Sequence, residues 1–268
     1  MLEMLAQYAN LPVETDESQQ LQEQLLQQIG DIEERLDAAE FEERLLAACA
    51  LARLCPAKAD VVMPVLIDGL RSEDEGHRVY AAFACRCLGP LASAAAPVLI
   101  EALDGDEIVV NHVLKALASI GSSKATPRLV ELIRRAGPEA LMVTNAHAIN
   151  AAMALKDSLE AIPDLRACLH FAEAEDDLLR TLALESARAI WQISGEVEAP
   201  LQVAMQLLDD VDDTIKGHAA DFLGELGVAA RPALAGLQRL LGDESEYVRR
   251  HAREAMARVE TPRSEEEK

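Results

Sequence analysis

Thr214-Ile215-Lys216-Gly217-His218-Ala219-Ala220-Asp221-Phe222-Leu223-Gly224-Glu225-Leu226-Gly227, followed by Pro232 and Leu234, is the stretch whose reading decides the fold. Ile215, Ala219, Phe222, Leu223 and Leu226 stand at offsets of 0, 4, 7, 8 and 11, which puts them on one face of an α-helix. Gly227 suits the end of that helix. Pro232 suits the first turn of a second helix, where its missing N–H would be unpaired anyway.

The pattern returns along the chain. Val248, Ala252, Ala255, Met256 and Val259 fit the same register. Val109, Val113, Ala116, Leu117 and Ile120 fit it too, with Gly121 in the place of Gly227. Tyr80, Ala84, Cys87, Leu88 and Leu91 give a further copy, with Gly89 matched to Gly224 and Cys87 at a core position. Weaker copies centre on Leu51, Leu155 and Ile190. The anchors Leu51, Leu88, Leu117, Leu155, Ile190, Leu223 and Met256 make seven copies, with steps of 37, 29, 38, 35, 33 and 33. A proline opens each second helix in this reading: Pro64, Pro97, Pro127, Pro163, Pro200 and Pro232. Two and six residues past the proline come apolar residues, as in Leu99 with Leu103 and Leu129 with Ile133.

One helix pair is too small to hide both apolar stripes, and stacking on its neighbours hides them. The expected fold is therefore all-α: a right-handed α-α superhelix of about seven helical pairs over residues 41–258. Residues 1–40 are expected to form a helical cap, with Leu21, Leu25, Ile29, Ile32 and Leu36 as its stripe beside a glutamine-rich stretch. A dimerising coiled coil is the other reading of that stripe. Residues 259–268 are expected to be a flexible tail.

These motifs resemble HEAT repeats, in particular the short bacterial type seen in phycobilisome-lyase-like proteins. Val248-Arg249 and Ile215-Lys216 carry the opening of the HEAT motif, Ala219-Ala220 its middle, and Leu223-Gly224 with Leu226-Gly227 its end. The resemblance implies that the second helices line a concave face. It also offers an enzyme alternative, a bilin lyase or isomerase-like subunit acting on a protein-bound chromophore. HEAT-like di-iron hydroxylases use His-Glu pairs as ligands, and none of the six histidines here is followed by Glu.

Apolar residues are 50% and aromatics 3% of the chain, which suits close-packed helices. With 27% charged residues the chain reads as folded rather than disordered. No apolar run approaches the ~20 residues of a membrane span, and no signal peptide is legible at Met1. The five cysteines are an odd number without Cys-x-x-Cys, which reads as reduced thiols in a cytoplasmic protein. No catalytic motif, cofactor site or metal-ligand spacing appears. His112, His218 and His251 share one repeat position, and the last two are expected to face each other across the stack.

The net charge of −22 comes from 47 acids against 25 bases, which excludes a phosphate-binding surface as the main function. The acids gather at one corner of the repeat: Glu73, Asp74 and Glu75; Asp106 and Glu107; Asp176 and Asp177; Asp209, Asp210, Asp212 and Asp213. Helix capping explains one acid per corner. The doublets exceed that need, so a basic partner is expected along this edge. Asp68, Glu101 and Glu131 each lie four residues past a proline and form an acidic ladder on the concave face. The ladder stops at Ala167, Met205 and Gly236, and Leu201 with Met205 would supply apolar contact there. Arg249, Arg250, Arg253 and Arg258 crowd the last helix. The function expected is a non-catalytic scaffold that binds a protein with a basic surface, without nucleic acid or membrane. A purely structural oligomer is the remaining alternative, with its oligomeric state open.

Overall fold

The computed structural model describes residues 27–155 and 158–261. The stripe residues Leu21 and Leu25, the glutamines before Gln27 and the tail 262–268 lie outside the described residues. Among the described residues every regular element is helical. A helical stretch at 27–34 runs into a 3-10 turn at Arg35–Asp37. The first helices of the pairs are α1 (Phe41–Leu54), α3 (Glu75–Leu88), α5 (Glu107–Ile120), α7 (Met142–Ala154), α9 (Asp177–Ser194), α11 (Asp213–Leu226) and α13 (Glu246–Glu260). The second helices are α2 (Ala59–Leu70), α4 (Ala96–Glu101), α6 (Thr126–Arg134), α8 (Ile162–Cys168), α10 (Glu198–Leu207) and α12 (Leu234–Leu240).

The chain divides into two compact units, Met1–Arg128 and Leu129–Lys268. In the N-terminal unit α3 packs between α1 and α5, and α2 and α4 cover the other side of these first helices. In the C-terminal unit α9 packs on α7 and α11, α11 packs on α13, and α8, α10 and α12 form the second row. This is the HEAT-like solenoid arrangement in each unit. Alanines make the close approach possible: Ala84, Ala151, Ala187 and Ala219 are fully buried. The C-terminal core gathers Leu184, Ala219, Phe222, Leu223, Leu237 and Val248. Burying each large side chain there contributes about 1.5–3 kcal/mol. One approach needs a glycine, because a Cβ on Gly217 would lie 2.3 Å from the Tyr247 ring.

The caps fix the register, and they correct three copies. Asp212 accepts from Ile215 N at 3.1 Å, Asp176 from Leu179 N at 3.0 Å, and Asp74 from His77 N at 3.0 Å. His77 and Leu179 are therefore the counterparts of Ile215. Eight residues on, Cys85 and Ala187 match Leu223, and the expected anchors Leu88 and Ile190 match Leu226. Gly89 corresponds to Gly227, not Gly224: the two share φ and ψ, 56° and −131° against 58° and −132°. The first two steps become 34 and 32 in place of 37 and 29. Tyr80, Cys87 and Leu91 are exposed as a result, and Cys85 takes the core position expected for Cys87. Leu155 is the residue that caps α7, whereas Leu223 lies inside its helix.

Pro97, Pro127 and Pro163 sit in the first turn of α4, α6 and α8, and Pro200 is the third residue of α10. Pro64 departs from that rule and lies inside α2. The carbonyl it leaves without a helical donor belongs to Asp60, which is exposed to water, so the helix continues. Helical structure also continues to Glu260 at the other end, and Val259 is buried.

The helical stretch Glu75–Asp104 has the length and mean hydropathy, 1.6, of a membrane span. It is broken at Gly89, where φ is +56°, and its two arms α3 and α4 both pack on α5. It is core rather than one straight spanning helix.

Candidate interaction surfaces

The corner between one helix pair and the next is built by a recurring arginine. Arg78 Nη1 donates to the carbonyls of Ser72 and Glu73, both at 2.8 Å, before α3. Arg180 does the same to Ala174 and Glu175 before α9, at 3.0 and 2.6 Å. Arg249 holds Asp243 and Glu244 before α13, and Arg44 holds Ala38 and Ala39 before α1. Each arginine is the fourth residue of its helix and satisfies carbonyls that a loop would otherwise turn to water.

The same corner takes its acids from the chain itself. Asp209 receives Arg239 at 3.0 Å. Asp210 receives Arg180 Nε at 2.7 Å and the Asp212 N–H at 2.8 Å, with its side chain only 3% exposed. Asp212 caps α11 through the N–H groups of Thr214 and Ile215. Asp213 and Asp243 share Lys216, at 2.8 and 2.7 Å. Each of the four aspartates in the 209–213 doublets is thus engaged within the fold, Asp209 and Asp210 by arginines, Asp212 by backbone N–H groups and Asp213 by a lysine shared with Asp243. The hydrogen bond from Ile215 N holds the Asp212 carboxyl below the usual range, and Lys216 does the same for Asp243. Arg78 reaches Asp106 at 2.6 Å, and Asp176 caps α9. Asp177 accepts from the N–H of Leu178 at 3.0 Å. Glu73, Glu75 and Glu107 remain exposed at the corners of the N-terminal unit.

A second line of pairs ties the second-helix row. Arg134 reaches Asp164 at 2.6 Å, Arg166 reaches Glu196 at 2.6 Å, and Arg128 pairs with Asp104. Sequence reasoning missed these partners. Their signal is separation: most pairs lie 27–30 residues apart, near the repeat length.

The ladder residues divide. In the N-terminal unit Asp68 on α2 and Glu101 on α4 are exposed, and among the described residues no cation pairs with either. In the C-terminal unit Glu131 is half-buried and pairs with Arg135, four residues on and just past the end of α6. Leu201 and Met205 are half-buried and pack against the C-terminal core, so part of the apolar contact expected of them is already used inside the unit. Four residues past Pro200 stands Ala204, fully buried, and Met205 is the next residue.

His251 does not meet His218. Its Nδ1 lies 2.7 Å from Asp221 Oδ1, and the His218 carbonyl accepts from Arg188 instead. Arg188 also sits between Glu185 and Glu225, at 3.4 and 3.5 Å, over the Phe222 ring. Burial pushes the Glu225 carboxyl up, with Glu185 and Asp221 adding to it against Arg188 and Arg258. Trp191 packs on Phe222, ring centres 5.9 Å apart. All five cysteines are free thiols. Burial pushes the thiols of Cys49 and Cys85 up to about 12 and that of Cys168 up to about 11, which keeps them protonated and unreactive. Among the described residues no three His, Cys, Asp or Glu side chains are placed to hold a metal. A groove of about 460 Å³ runs between Ile32 with Arg35 and Glu42, Leu46, Ala47 and Ala50 of α1.

The family of HEAT repeats matches residues 63–141. No curated protein matches the sequence. Among solved structures, the complex of CpcE and CpcF of phycocyanin lyase from Nostoc sp. PCC7120 is similar at 22% identity and a TM-score of 0.56, covering 93% of this chain and 96% of that one. The archaeal HEAT-like repeats protein from Thermococcus onnurineus NA1 is similar at 15% identity and a TM-score of 0.51, covering 86% and 96%. Both likenesses are of fold. Taken with the paired helices, the positive-φ glycines and the capped corners, they show a HEAT-like all-α solenoid fold, with HEAT repeats matched over residues 63–141.

Proposed function

We propose that the chain is a non-catalytic scaffold that binds a protein bearing a basic segment, through the acidic second-helix face and the corner acids. The observation that carries this reading is the contrast around Asp68 and Glu101. They occupy one register on successive second helices and stay exposed without an internal cation, in a unit where Asp104 and Asp106 are paired. Exposed carboxylates of this kind steer a basic partner and raise its on-rate more than its affinity. Glu73, Glu75 and Glu107 add to the same field. In the C-terminal unit the free part of the surface is smaller: Glu131 is shared with Arg135, and Leu201 and Met205 offer only their exposed atoms. Five free thiols, two of them buried, favour a reducing compartment such as the cytoplasm.

The test is a titration of the full chain with a labelled peptide of lysine and leucine at low and high salt. Asp68→Lys with Glu101→Lys is expected to weaken binding about tenfold at low salt while helicity is unchanged. Unchanged affinity removes these two residues from the account. A second reading, a bilin lyase or isomerase-like subunit, draws on the fold likeness to phycocyanin lyase. Incubation with bilin and a bilin-accepting apoprotein separates the two, because a scaffold gives no change in absorption.

A further inference from the structure

The outer stripes of α1, α3 and α5 carry a charge opposite to that of the chain as a whole. Arg53, Arg86 and Lys115 are exposed on these three successive first helices, and among the described residues no carboxylate pairs with them. This occurs in a chain with 47 acids to 25 bases. In the C-terminal unit Arg134, Arg166, Arg180, Lys216 and Arg239 are paired, while Arg231 and Arg253 are exposed and, among the described residues, have no carboxylate partner. The three free cations stand on adjoining helices, since α1 packs on α3 and α3 on α5. The Arg53 guanidinium lies 6.0 Å from the centre of the Phe83 ring. Beyond the effect of burial, the charges of Lys115 and Arg86 hold the His112 imidazole below its usual range.

Apolar surface lies along the same helices, beside Arg53 at Phe83 and about 9–11 Å along the axis from the cations at Leu46, Tyr80 and Ile108, at 1.5 Å per residue. Leu46, Tyr80 and Ile108 are each more than half exposed, and Phe83 is half-buried. Cys49 Sγ lies 3.5 Å from the Tyr80 carbonyl, where α1 and α3 pack together. The acids of these helices, Glu42, Glu43, Glu75 and Glu107, sit at the opposite ends, about 12–16 Å away along the axis at 1.5 Å per residue. That exceeds the Debye length of about 8 Å at physiological salt, so the stripe keeps its own positive field.

We propose that this stripe is a second docking site, for a short acidic segment of a partner protein with an apolar side chain among its carboxylates. Arginine beside an aromatic ring suits bidentate, stacked contact with carboxylates. A second copy of the chain would set one net charge of −22 against another, whereas a short segment brings only the few carboxylates that meet the stripe. A flat anionic membrane would meet the acidic helix ends together with the stripe. A narrow segment meets the stripe alone.

The experiment titrates the full chain against a labelled helical peptide of glutamate and leucine, followed by fluorescence anisotropy at two salt concentrations. Phosphatidylserine vesicles form the comparison arm. The proposal expects saturable, salt-sensitive peptide binding that falls about tenfold in Arg86→Glu with Lys115→Glu, at an unchanged thermal midpoint. Asp68→Lys with Glu101→Lys should bind this peptide no more weakly than the parent, which keeps the test separate from the acidic-face reading. Should the double reversal fail to fold, Arg86→Gln with Lys115→Gln carries the same comparison. Equal affinity in parent and variant, absence of peptide binding, or binding to vesicles without binding to the peptide overturns the proposal.

Discussion

The two units use charge differently. In the C-terminal unit the corner acids are partners: Asp210 is held by Arg180 in a nearly buried pair, Asp213 and Asp243 share Lys216, and Asp209 holds Arg239. In the N-terminal unit the equivalent contact, Arg78 with Asp106, leaves the aspartate 62% exposed. Charges of both signs stay free there, on the second-helix face at Asp68 and Glu101 and on the outer stripe at Arg53, Arg86 and Lys115. Net charge therefore says little about available charge. The acid-rich stretch 209–213 is the more conspicuous in sequence, yet its acids are engaged within the fold.

Removing the buried arginine tests that difference most severely. Arg180→Ala leaves Asp210 buried without its cation and frees two carbonyls, and it should cost about 3–5 kcal/mol in urea unfolding. Arg78→Ala frees the same two kinds of carbonyl, but hydrated Asp106 loses little, so about 1–2 kcal/mol is expected. Equal losses at the two positions would erase the contrast between the units.

Asp212→Ala removes an N-cap and should cost about 0.5–2 kcal/mol near neutral pH. Its carboxyl lies below its ordinary value of 3.8 in the folded chain, so its contribution is full above that value and is lost as pH falls through the depressed one. The gap between parent and variant should close in acid, as read by thermal midpoints against pH. Glu225 has the opposite sign. Its folded value is raised above 4.5, so its contribution is full below that point and is lost as pH rises through the raised value. Glu225→Gln should therefore gain on the parent at pH 7 compared with pH 4. The smallest effect belongs to the free stripe: Arg86→Ala and Lys115→Ala should each change stability by no more than about 0.5 kcal/mol. A larger loss would mean that these cations hold the N-terminal unit together and are not free.

The repeat itself was legible from Ile215, Ala219, Phe222, Leu223 and Leu226, because helix stacking demands that face. The register of the copies near Cys85 and Ala187 was not. In stretches of Ala and Leu at three- and four-residue steps, a slide of three residues preserves the apolar pattern, so periodicity cannot choose. Residues outside the apolar stripe choose: the cap aspartate, the arginine at the fourth helical position and the positive-φ glycine. The alanine-rich copy before Leu155 has no arginine in that place, and Asn145 stands there. The acidic register of Asp68 and Glu101 was legible as exposed, since both lie opposite buried leucines. Asp209 and Asp210 differed because their partners, Arg239 and Arg180, depend on how the pairs stack, whereas Glu131 with Arg135 and Asp213 with Lys216 are local pairs at four- and three-residue spacing.

The account turns on where a basic partner meets the chain. Hydrogen exchange of the full-length protein, with and without saturating lysine–leucine peptide at low salt, measures this directly. Added protection is expected in α2 and α4, around Asp68 and Glu101, with little change across 209–213. Protection confined to the 209–213 corner, or none in either place, would contradict the account.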